Sequence, residues 1–548
     1  MHGDERRQLW AGFWQNSLGT LASRVLGLVR DMATAALLGL GTGGVMDALV
    51  IAFRLPNLFR RLFGEGALAV SFLPAFRAQY EREAGLAWKL TSVLLTWLAV
   101  ALGAVVMIGE AICVAVLWQS ADARALELAR LSAIMLPYLV LICLAAQLTA
   151  ALQALFSFRA PALAPVLLNV CWLGAVWFVC PWLPDERAQA AAIAVAVLAS
   201  GVLQVAWLWP ALRRFGFRFD YDWRASRNAA VQVAKAAVPI ALGMAVTQLN
   251  TLVDSLVAWG LAGEAHQTIA WLGDVVEYPL RTGAAAAIYY GERFYQLPVG
   301  LLGIAVATVY YPRFSQHAAR RDRHAIANDL SVALRLVAFV AIPASAGLAL
   351  VALPATRLFF QRGAFTSADS ARAANMIATY ALGIWAYCAL PVLVRAFYAS
   401  GDRLSPAKIG LVSVAINAAL NVTLVWFLAE RGLAVATAVA AAAQVILLTT
   451  RFSRAHAKLK WPGLGRTLAR SALATGAMTV AVTLVQLALP LDAQSSWAWQ
   501  AVALATLTIL GAGVYVALAH FMRMDELSAF LRPSTSASEP ATPTRAAA

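Results

Sequence analysis

The sequence predicts an all-α polytopic membrane protein with about fourteen transmembrane helices, organised as two homologous six-helix lobes plus two extra C-terminal helices. The first observation is composition: of 548 residues, 61% are hydrophobic and 13% are charged, with a mean hydropathy of +0.70. Soluble domains are roughly half apolar and a quarter charged. The second is a series of long apolar segments separated by alternately basic and non-basic loops. The third is a weak internal repeat.

The apolar segments set the helix count, because a bilayer-spanning helix needs about 20 mostly apolar residues. The second segment is long and is interrupted near Pro56. The predicted spans are residues 12–38, 46–76, 90–118, 130–157, 160–182, 188–212, 230–262, 284–312, 331–356, 373–399, 406–428, 432–450, 468–490 and 496–521.

Basic residues are concentrated in every second loop, for example Arg77, Arg82 and Lys89 after the second span. Since cytoplasmic loops of membrane proteins are enriched in Lys and Arg, both termini are predicted to be cytoplasmic. The same rule accounts for the net charge of +15, so nucleic acid is not expected as a partner. The N-terminal MHGDERR lacks the apolar core of a cleaved signal peptide.

The repeat relates the second span to the eighth. Leu55-Pro56 and FLPAF in the second span correspond to Leu297-Pro298 and YYPRF in the eighth, at an offset of about 240 residues. Duplicated bundles with matching prolines are typical of alternating-access transporters. We therefore predict an N-terminal lobe at 1–227, a C-terminal lobe at 228–460, two further helices at 461–524 and a disordered cytoplasmic tail at 525–548.

No enzyme is expected. The five cysteines lie in apolar runs without CxxC spacing, and the six histidines form no HExxH-type pair. The sequence therefore supports neither a zinc site nor a hydrolytic triad.

Charged residues within the first two spans are the main functional signal. An arginine at the bilayer centre costs about 2.5–3.5 kcal/mol on insertion scales, and such residues usually face an internal cavity. Steps of seven, seven and four residues put four of them on one helical face. Because arginine suits bidentate phosphate recognition, we predict an anion site. The candidates in these two spans are Arg24, Arg30, Asp47, Arg54, Arg60, Arg61 and Glu65.

Two structural alternatives remain open. Arg60 and Arg61 could extend from a helix end toward the membrane interface, and Arg30 with Asp31 could form a structural ion pair.

The second half carries two smaller sets. Arg293 precedes Leu297-Pro298 much as Arg54 precedes Leu55-Pro56, which would let a phosphate be held from both halves. Asp254, Asn417, Asn421 and Thr437 supply oxygen atoms suited to Na⁺ or to a proton-coupled site. Hydrogen bonding between helices is an equal alternative for these four residues. The last two spans carry no charged residue in their apolar parts and suit a lipid-facing role.

Four segments resemble the lipid II flippase family (MurJ, also called MviN) of the multidrug/oligosaccharidyl-lipid/polysaccharide exporter superfamily. They are SRVLGLVRD, MDALVIAFRLPNLFRRLFGEGAL, LPVGLLGIA and FFQRGAFTSAD. The resemblance covers nearly the whole chain up to about residue 522. It implies a fourteen-helix, two-lobed V-shaped transporter in the bacterial inner membrane. The implied substrate is the undecaprenyl-diphosphate-linked peptidoglycan precursor, which crosses from the cytoplasmic to the periplasmic leaflet.

The resemblance also assigns roles. The family's cavity arginines match Arg24, Arg30, Arg60 and Arg293, and its groove for the lipid tail matches the last two spans. Some members bind Na⁺ in the second lobe, where this sequence departs by having Asn421 in place of an acid. The connection at 263–283 is longer than the family's and would be a lid, a partner contact or, as we prefer, a neutral insertion.

Two other kinds of function compete. One is export of another substrate within the superfamily, either by a cation-coupled multidrug exporter or by another lipid-linked oligosaccharide exporter. The other is a scaffold for cell-wall synthesis proteins. No cofactor is expected apart from coupling to Na⁺ or to the membrane potential. Membrane lipids and lipid II are the expected partners.

Overall fold

A computed structural model describes residues 3–64, 67–264, 266–269, 275–461, 463–489 and 496–531 of the chain. These residues are almost entirely helical. The eighteen helices in the described part are α1 (Gly3–Leu38), α2 (Val45–Phe59), α3 (Ala67–Arg82), α4 (Ala84–Gln119), α5 (Ala123–Ala154), α6 (Arg159–Gly174), α7 (Glu186–Arg214), α8 (Trp223–Gly260), α9 (Ala284–Pro298), α10 (Ile304–Ala319), α11 (Arg323–Phe360), α12 (Ser367–Ala381), α13 (Ile384–Ala399), α14 (Leu404–Leu428), α15 (Glu430–Ala455), α16 (Leu464–Ala488), α17 (Trp497–Phe521) and α18 (Asp525–Leu531).

The fold class predicted from the sequence is confirmed, since every predicted span overlaps one helix or a consecutive pair. Ten helices in the described ranges are long and apolar enough to cross a bilayer, or eleven if α12 and α13, bent by 48°, form one broken span. The predicted count of fourteen is therefore not confirmed. Three predicted spans are not among these ten or eleven, namely the first (α1), the second (α2 and α3) and the seventh (α8).

The second and eighth predicted spans are interrupted in the same way. A π-helical turn at Arg60–Gly64 lies between α2 and α3, and one at Val299–Gly303 lies between α9 and α10. Each turn follows a proline, Pro56 or Pro298, that cannot donate a backbone hydrogen bond. π-helical turns are found frequently at functional sites, which makes these two breaks candidates for such a role.

Short β-strands occur in the connection between α8 and α9, where the sequence predicts an insertion. Strand β1 (Ala262–Gly263) pairs in parallel with β2 (Leu280–Arg281), and Thr268 forms a bridge with Glu277. Residues 265 and 270–274 of this connection lie outside the described residues. Its role as a lid, a partner contact or a neutral insertion remains a prediction.

The chain divides into two compact units. The first comprises Met1–Tyr290, Phe359–Met376 and Ala407–Thr437, and the second comprises Gly291–Leu358, Ile377–Pro406 and Ala438–Ala548. The predicted lobe boundaries at 227 and 460 remain a prediction.

The second unit contains an apolar core shared by α11, α16, α17 and α18. Phe339, Met478 and Leu507 are among its buried residues. The hydroxyl of Tyr515 donates to the carbonyl of Phe339 over 2.6 Å, which satisfies a polar group inside this core. These contacts attach the pair of C-terminal helices to α11.

Helix α18 corrects the prediction that the chain is disordered from residue 525. Glu526 is buried and forms an ion pair with Arg335 of α11 over 2.7 Å, and it accepts a hydrogen bond from Thr467 of α16 over 2.6 Å. A short helix is marginal in isolation, so these tertiary contacts hold it in place. Residues 532–548 of the predicted tail lie outside the described residues.

The ion pair predicts that Glu526→Gln lowers the apparent melting temperature of the purified protein. Burial acts to raise the pKa of Glu526, but hydrogen bonds from Thr467 and Arg335 outweigh it and hold the pKa below its usual value. A carboxylate with a lowered pKa contributes stability above its unfolded pKa of about 4.3, and this contribution is lost as the pH falls through the folded pKa. We expect a loss of about 1.5–3 kcal/mol at neutral pH, the usual value for a charged hydrogen-bonded group.

The matched control for this prediction is Asp525→Asn, which changes an exposed acid on the same helix. Thermal unfolding followed by fluorescence should separate the two variants at pH 7. Equal melting temperatures for both would contradict the assigned role of Glu526.

Candidate functional site

Arg30 and Asp31 form a buried ion pair about two turns before the end of α1, in the first unit. The Arg30 guanidinium donates to the Asp31 carboxylate over 2.8 and 3.1 Å, and each residue is 6% exposed. The hydroxyl of Tyr289 donates to the same carboxylate oxygen over 3.0 Å, and Asn169 of α6 accepts from Arg30 over 3.2 Å. The structural alternative that the sequence left open for Arg30 is therefore the arrangement found.

Aromatic rings enclose this ion pair. The guanidinium of Arg30 lies 4.8 Å from the ring centre of Trp172 and 5.6 Å from that of Phe53. Cation–π contacts of this kind strengthen when they are desolvated. A cavity of about 10 Å³ beside Asp31 and Tyr289 has room for about one water molecule. The pair is thus a polar centre in an apolar surrounding, where removing one partner would leave an uncompensated charge.

Asp47 is predicted from sequence as a substrate residue, but its contacts are those of a helix cap. It is fully buried in the first turn of α2, and its two carboxylate oxygens accept from the backbone N–H groups of Gly283 and Ala286, each over 2.8 Å. These groups belong to the start of α9. The carboxylate therefore lies at two helix N-termini, both of which stabilise negative charge.

Gly283 is required by this arrangement. Its φ of +87° suits glycine, and a Cβ atom there would approach the carbonyl oxygen of Leu40 to 2.6 Å. The same connection is held by Arg372 of α12, which donates to the carbonyl of Thr282 over 3.1 Å and forms an ion pair with Glu430 of α15. Sequence reasoning missed Arg372 and Glu430, although the FFQRGAFTSAD segment ends just before Arg372.

The arginines of α2 and of the π-helical turn differ in their hydrogen-bond partners. Arg54 is buried and donates to the Thr251 carbonyl over 3.0 Å, and Arg61 donates to Gln248 over 3.3 Å. Both contacts are with α8, as expected for residues seven positions apart. Arg60 is half-buried and instead donates to Asn57, one helical turn earlier, over 2.8 and 3.0 Å.

Three further residues complete the predicted anion site: Arg24, Arg293 and Glu65. The side chain of Arg24 is exposed, and it forms no ion pair with any other residue in the described part of the chain. Arg293 is half-buried and belongs to the second unit, whereas the other candidate arginines belong to the first. Glu65 lies outside the described residues. The predicted clamp of Arg293 with the first-half arginines therefore stays a prediction.

A second polar cluster contains all four residues predicted as an ion site. The amide nitrogen of Asn421 donates to Asp254 over 2.6 Å and to Asn417 over 3.1 Å. The hydroxyl of Thr437 donates to the other Asp254 oxygen over 2.8 Å. Asp254, Asn417 and Asn421 are at most 1% exposed. Residues of α8, α14 and α15 that belong to the first unit thus meet at one carboxylate.

This arrangement does not suit a sodium ion, which would need oxygen atoms directed toward one centre. Here an N–H group of Asn421 points at the oxygens of Asp254 and Asn417 and occupies the position of a cation. The Oδ1 atom of Asn421 is buried and has no hydrogen-bond partner among the residues that the structure describes. The geometry is that of interhelical hydrogen bonding, the alternative that the sequence left open. Within the described residues, no group of three or more His, Cys, Asp or Glu side chains forms a further metal site.

Comparison with known proteins identifies the family. A family model described as lipid II flippase MurJ matches residues 35–515. The chain belongs to the MurJ family. A probable lipid II flippase MurJ from Rhizobium meliloti (strain 1021) is 31% identical over 515 residues, which cover 91% of each chain. The lipid II flippase MurJ of Burkholderia cenocepacia is 31% identical over 445 residues, covering 78% of this chain and 81% of that one.

Solved structures agree on the fold. The inward closed conformation of a lipid II flippase MurJ matches with a TM-score of 0.72 at 23% identity, covering 94% of this chain and 99% of that one. An inward-facing multidrug resistance MATE family transporter of the MOP superfamily matches less well, with a TM-score of 0.58 at 13% identity, covering 79% of this chain and 95% of that one. The MurJ family is thus supported by both sequence and fold, and the MATE transporter is a distant neighbour in fold alone.

For this MurJ-family chain, the cap geometry predicts that Asp47→Ala destabilises the protein by about 1–3 kcal/mol, because two buried backbone N–H groups lose their acceptor. Asp122→Ala is the control, since Asp122 caps α5 by accepting from the N–H of Arg124 at an exposed position. Apparent melting temperatures of the purified variants measure the difference. If Asp122→Ala lowered the melting temperature as much as Asp47→Ala, the result would contradict a special role for Asp47.

The Asp254 cluster predicts a gain of cation dependence in Asn421→Asp. A second carboxylate would replace an amide that lies 2.6 Å from Asp254, and two such charges require a bound cation or a proton between them. We expect added NaCl to raise the melting temperature of this variant more than choline chloride does at the same ionic strength. Falling pH should also raise it. Asn421→Ala is the control, because it removes the hydrogen bonds without adding charge. A salt or pH response shared by both variants would contradict the prediction.

Proposed function

We propose that this chain is a lipid II flippase that moves the undecaprenyl-diphosphate-linked peptidoglycan precursor from the cytoplasmic to the periplasmic leaflet. Family membership supports this, because the curated relatives are named lipid II flippases. The observation that carries it is the set of arginines within the first two membrane segments. An anionic headgroup matches such a site in charge, whereas a cationic drug does not.

The diphosphate of the substrate would be bound by arginine side chains that are not fully buried. Arg24 is exposed, with no ion pair in the described part of the chain, and it is our first candidate for the diphosphate. Arg60 and Arg293 are further candidates, both half-buried. Guanidinium groups bind phosphate oxygens in pairs, and a diphosphate presents several such oxygens.

Other predicted residues would act indirectly. Arg30 is compensated by Asp31, and Arg54 and Arg61 contact α8, so we assign them to holding α1 and α2 in position. Asp47 would be a positioning residue, because a carboxylate repels a diphosphate and its oxygens already accept two backbone hydrogen bonds. Loop charge places Asp47 on the periplasmic side. The hydrogen bonds from the start of α9 to Asp47 would hold the periplasmic side closed in the conformation whose cytoplasmic side is open.

Transport would proceed by alternating access between the two predicted lobes, with the headgroup crossing inside and the polyprenyl tail remaining in lipid. The α16–α17 pair would provide the groove for the tail, in keeping with exposed apolar side chains such as Leu473, Leu487 and Ile509. The cycle involves no covalent chemistry, so the chain would not be an enzyme. Binding alone gives no direction, so an ion gradient or the membrane potential would supply it. The protein would reside in the bacterial inner membrane with both termini cytoplasmic.

Charge reversal tests the proposal. Arg24→Glu and Arg60→Glu should each abolish growth in cells depleted of their own flippase, because a glutamate would repel the diphosphate. Arg218→Glu, at an exposed position after α7, is the control for a change of two charge units and should support growth. Protein levels in the membrane fraction are measured in parallel. Full complementation by both site variants at normal levels would overturn the role of these arginines.

A transport assay tests the substrate itself. Proteoliposomes containing the purified protein and lipid II should show a protein-dependent transfer of lipid II to the opposite leaflet, with the rate depending on an imposed potential. Export of a cationic dye that is unaffected by Arg24→Glu would favour the multidrug alternative. Imposed Na⁺, H⁺ and voltage gradients, applied separately, would identify the energy source.

A further inference from the structure

A groove between α6 and α7 of the first unit is not used by the proposed transport mechanism. It has a volume of about 510 Å³, within the range of about 300–1,000 Å³ that is usual for ligand pockets. Its wall is formed by ten residues, eight of them apolar and two arginines, with no acidic residue. Leu163, Leu203 and Trp207 in this wall are 44–47% exposed, so the groove opens outward from the helix pair.

The two arginines lie at one end of the groove. Helices α6 and α7 are antiparallel neighbours, joined through a short connection that ends at Asp185, so the first residue of α6 and the last residue of α7 lie at the same end of the pair. These residues are Arg159 and Arg214. Both side chains are exposed, and neither forms an ion pair within the described residues. Loop charge assigns this end to the cytoplasm.

The apolar part of the groove continues from the arginines toward the middle of the bilayer. On α7 the lining residues Leu203, Trp207 and Pro210 lead to Arg214 at steps of four, three and four, which keeps them on one helical face. They extend over roughly 16 Å at a rise of about 1.5 Å per residue. The indole N–H of Trp207 donates to the carbonyl of Ala160 over 3.2 Å, which fixes the two helices at this point.

We propose that this groove is a binding site for an anionic phospholipid of the cytoplasmic leaflet. Arg159 and Arg214 would bind the phosphate at the level of the headgroups, and one acyl chain would lie in the apolar part of the groove. Charge complementarity determines the class of lipid, because two arginines without an acidic neighbour favour phosphatidylglycerol or a related anionic lipid over a zwitterionic one. Basic pockets between membrane helices on the cytoplasmic side bind anionic headgroups in this way. The site is distinct from the candidate residues of α1 and α2.

Native mass spectrometry of the full-length protein, titrated in detergent with dioleoyl phosphatidylglycerol or dioleoyl phosphatidylcholine, tests this site. Wild-type protein should bind phosphatidylglycerol more tightly than phosphatidylcholine. Each basic residue near an anionic headgroup is worth about fivefold in binding, so Arg159→Gln/Arg214→Gln should weaken phosphatidylglycerol binding at the tightest site by about tenfold or more. Phosphatidylcholine binding should not change.

The control is Arg218→Gln/Arg224→Gln, which removes two exposed arginines that do not line the groove, one between α7 and α8 and one in the first turn of α8. It should retain the wild-type affinity. Ala206→Trp tests the acyl-chain part, because it fills the groove without changing its charge and should also weaken binding. Soluble glycerol phosphate in excess should compete poorly, since it has the anionic group but no acyl chain.

Three results would overturn the proposal. One is equal affinity of the wild-type protein for the two lipids. Another is an equal loss in the groove variant and the control variant, which would indicate general attraction to basic loops. The last is unchanged binding in both Arg159→Gln/Arg214→Gln and Ala206→Trp, with melting temperatures showing that both variants are folded.

Discussion

Helix packing in the first unit is constrained by the free-energy cost of burying charged groups among apolar helices. Arg30 at 6% exposure is tolerated because Asp31, Asn169 and Tyr289 surround its guanidinium with partners. Asp47 is tolerated because two helix N-termini supply N–H groups to its oxygens. In each case the compensating groups come from separate helices, so compensation of the charge also fixes how α1, α2, α6 and α9 pack. The polar groups are expensive to bury, and this cost makes the packing specific.

This constraint separates two kinds of arginine that look alike in sequence. Arg30 has a fixed acidic partner, whereas Arg24 lies six residues earlier on the same helix and is exposed. A fully compensated arginine contributes little net charge to a ligand, and an exposed one contributes most of its charge. This distinction is the reason for proposing Arg24 for substrate binding and Arg30 for structural support.

The sequence was sufficient for the fold class and for the presence of charged helices, because apolar length and hydropathy are local properties. Residues seven apart were correctly placed on one face for Arg54 and Arg61, which both contact α8. The role of Asp47 could not be predicted, since its partners are backbone N–H groups of Gly283 and Ala286, and a backbone group has no signature in sequence. Arg372 was missed for a similar reason, as its acceptor is the Thr282 carbonyl. The helix at Asp525–Leu531 was missed because Pro, Ser and Thr downstream obscured an acidic residue with distant partners.

The Asp254 cluster shows how a set of residues can converge as predicted and yet differ in chemistry. A resemblance to sodium-binding relatives and the oxygen-rich side chains both indicated an ion site, and the four residues do meet. One difference in chemistry decides the outcome: an amide at position 421 contributes N–H groups as well as an oxygen, and here an N–H group faces Asp254. The Asp254 carboxylate accepts hydrogen bonds from these donors, so its single negative charge can be stabilised without a bound cation. The two donors come from α14 and α15, so compensation of the Asp254 charge holds three helices together, as compensation does around Arg30 and Asp47.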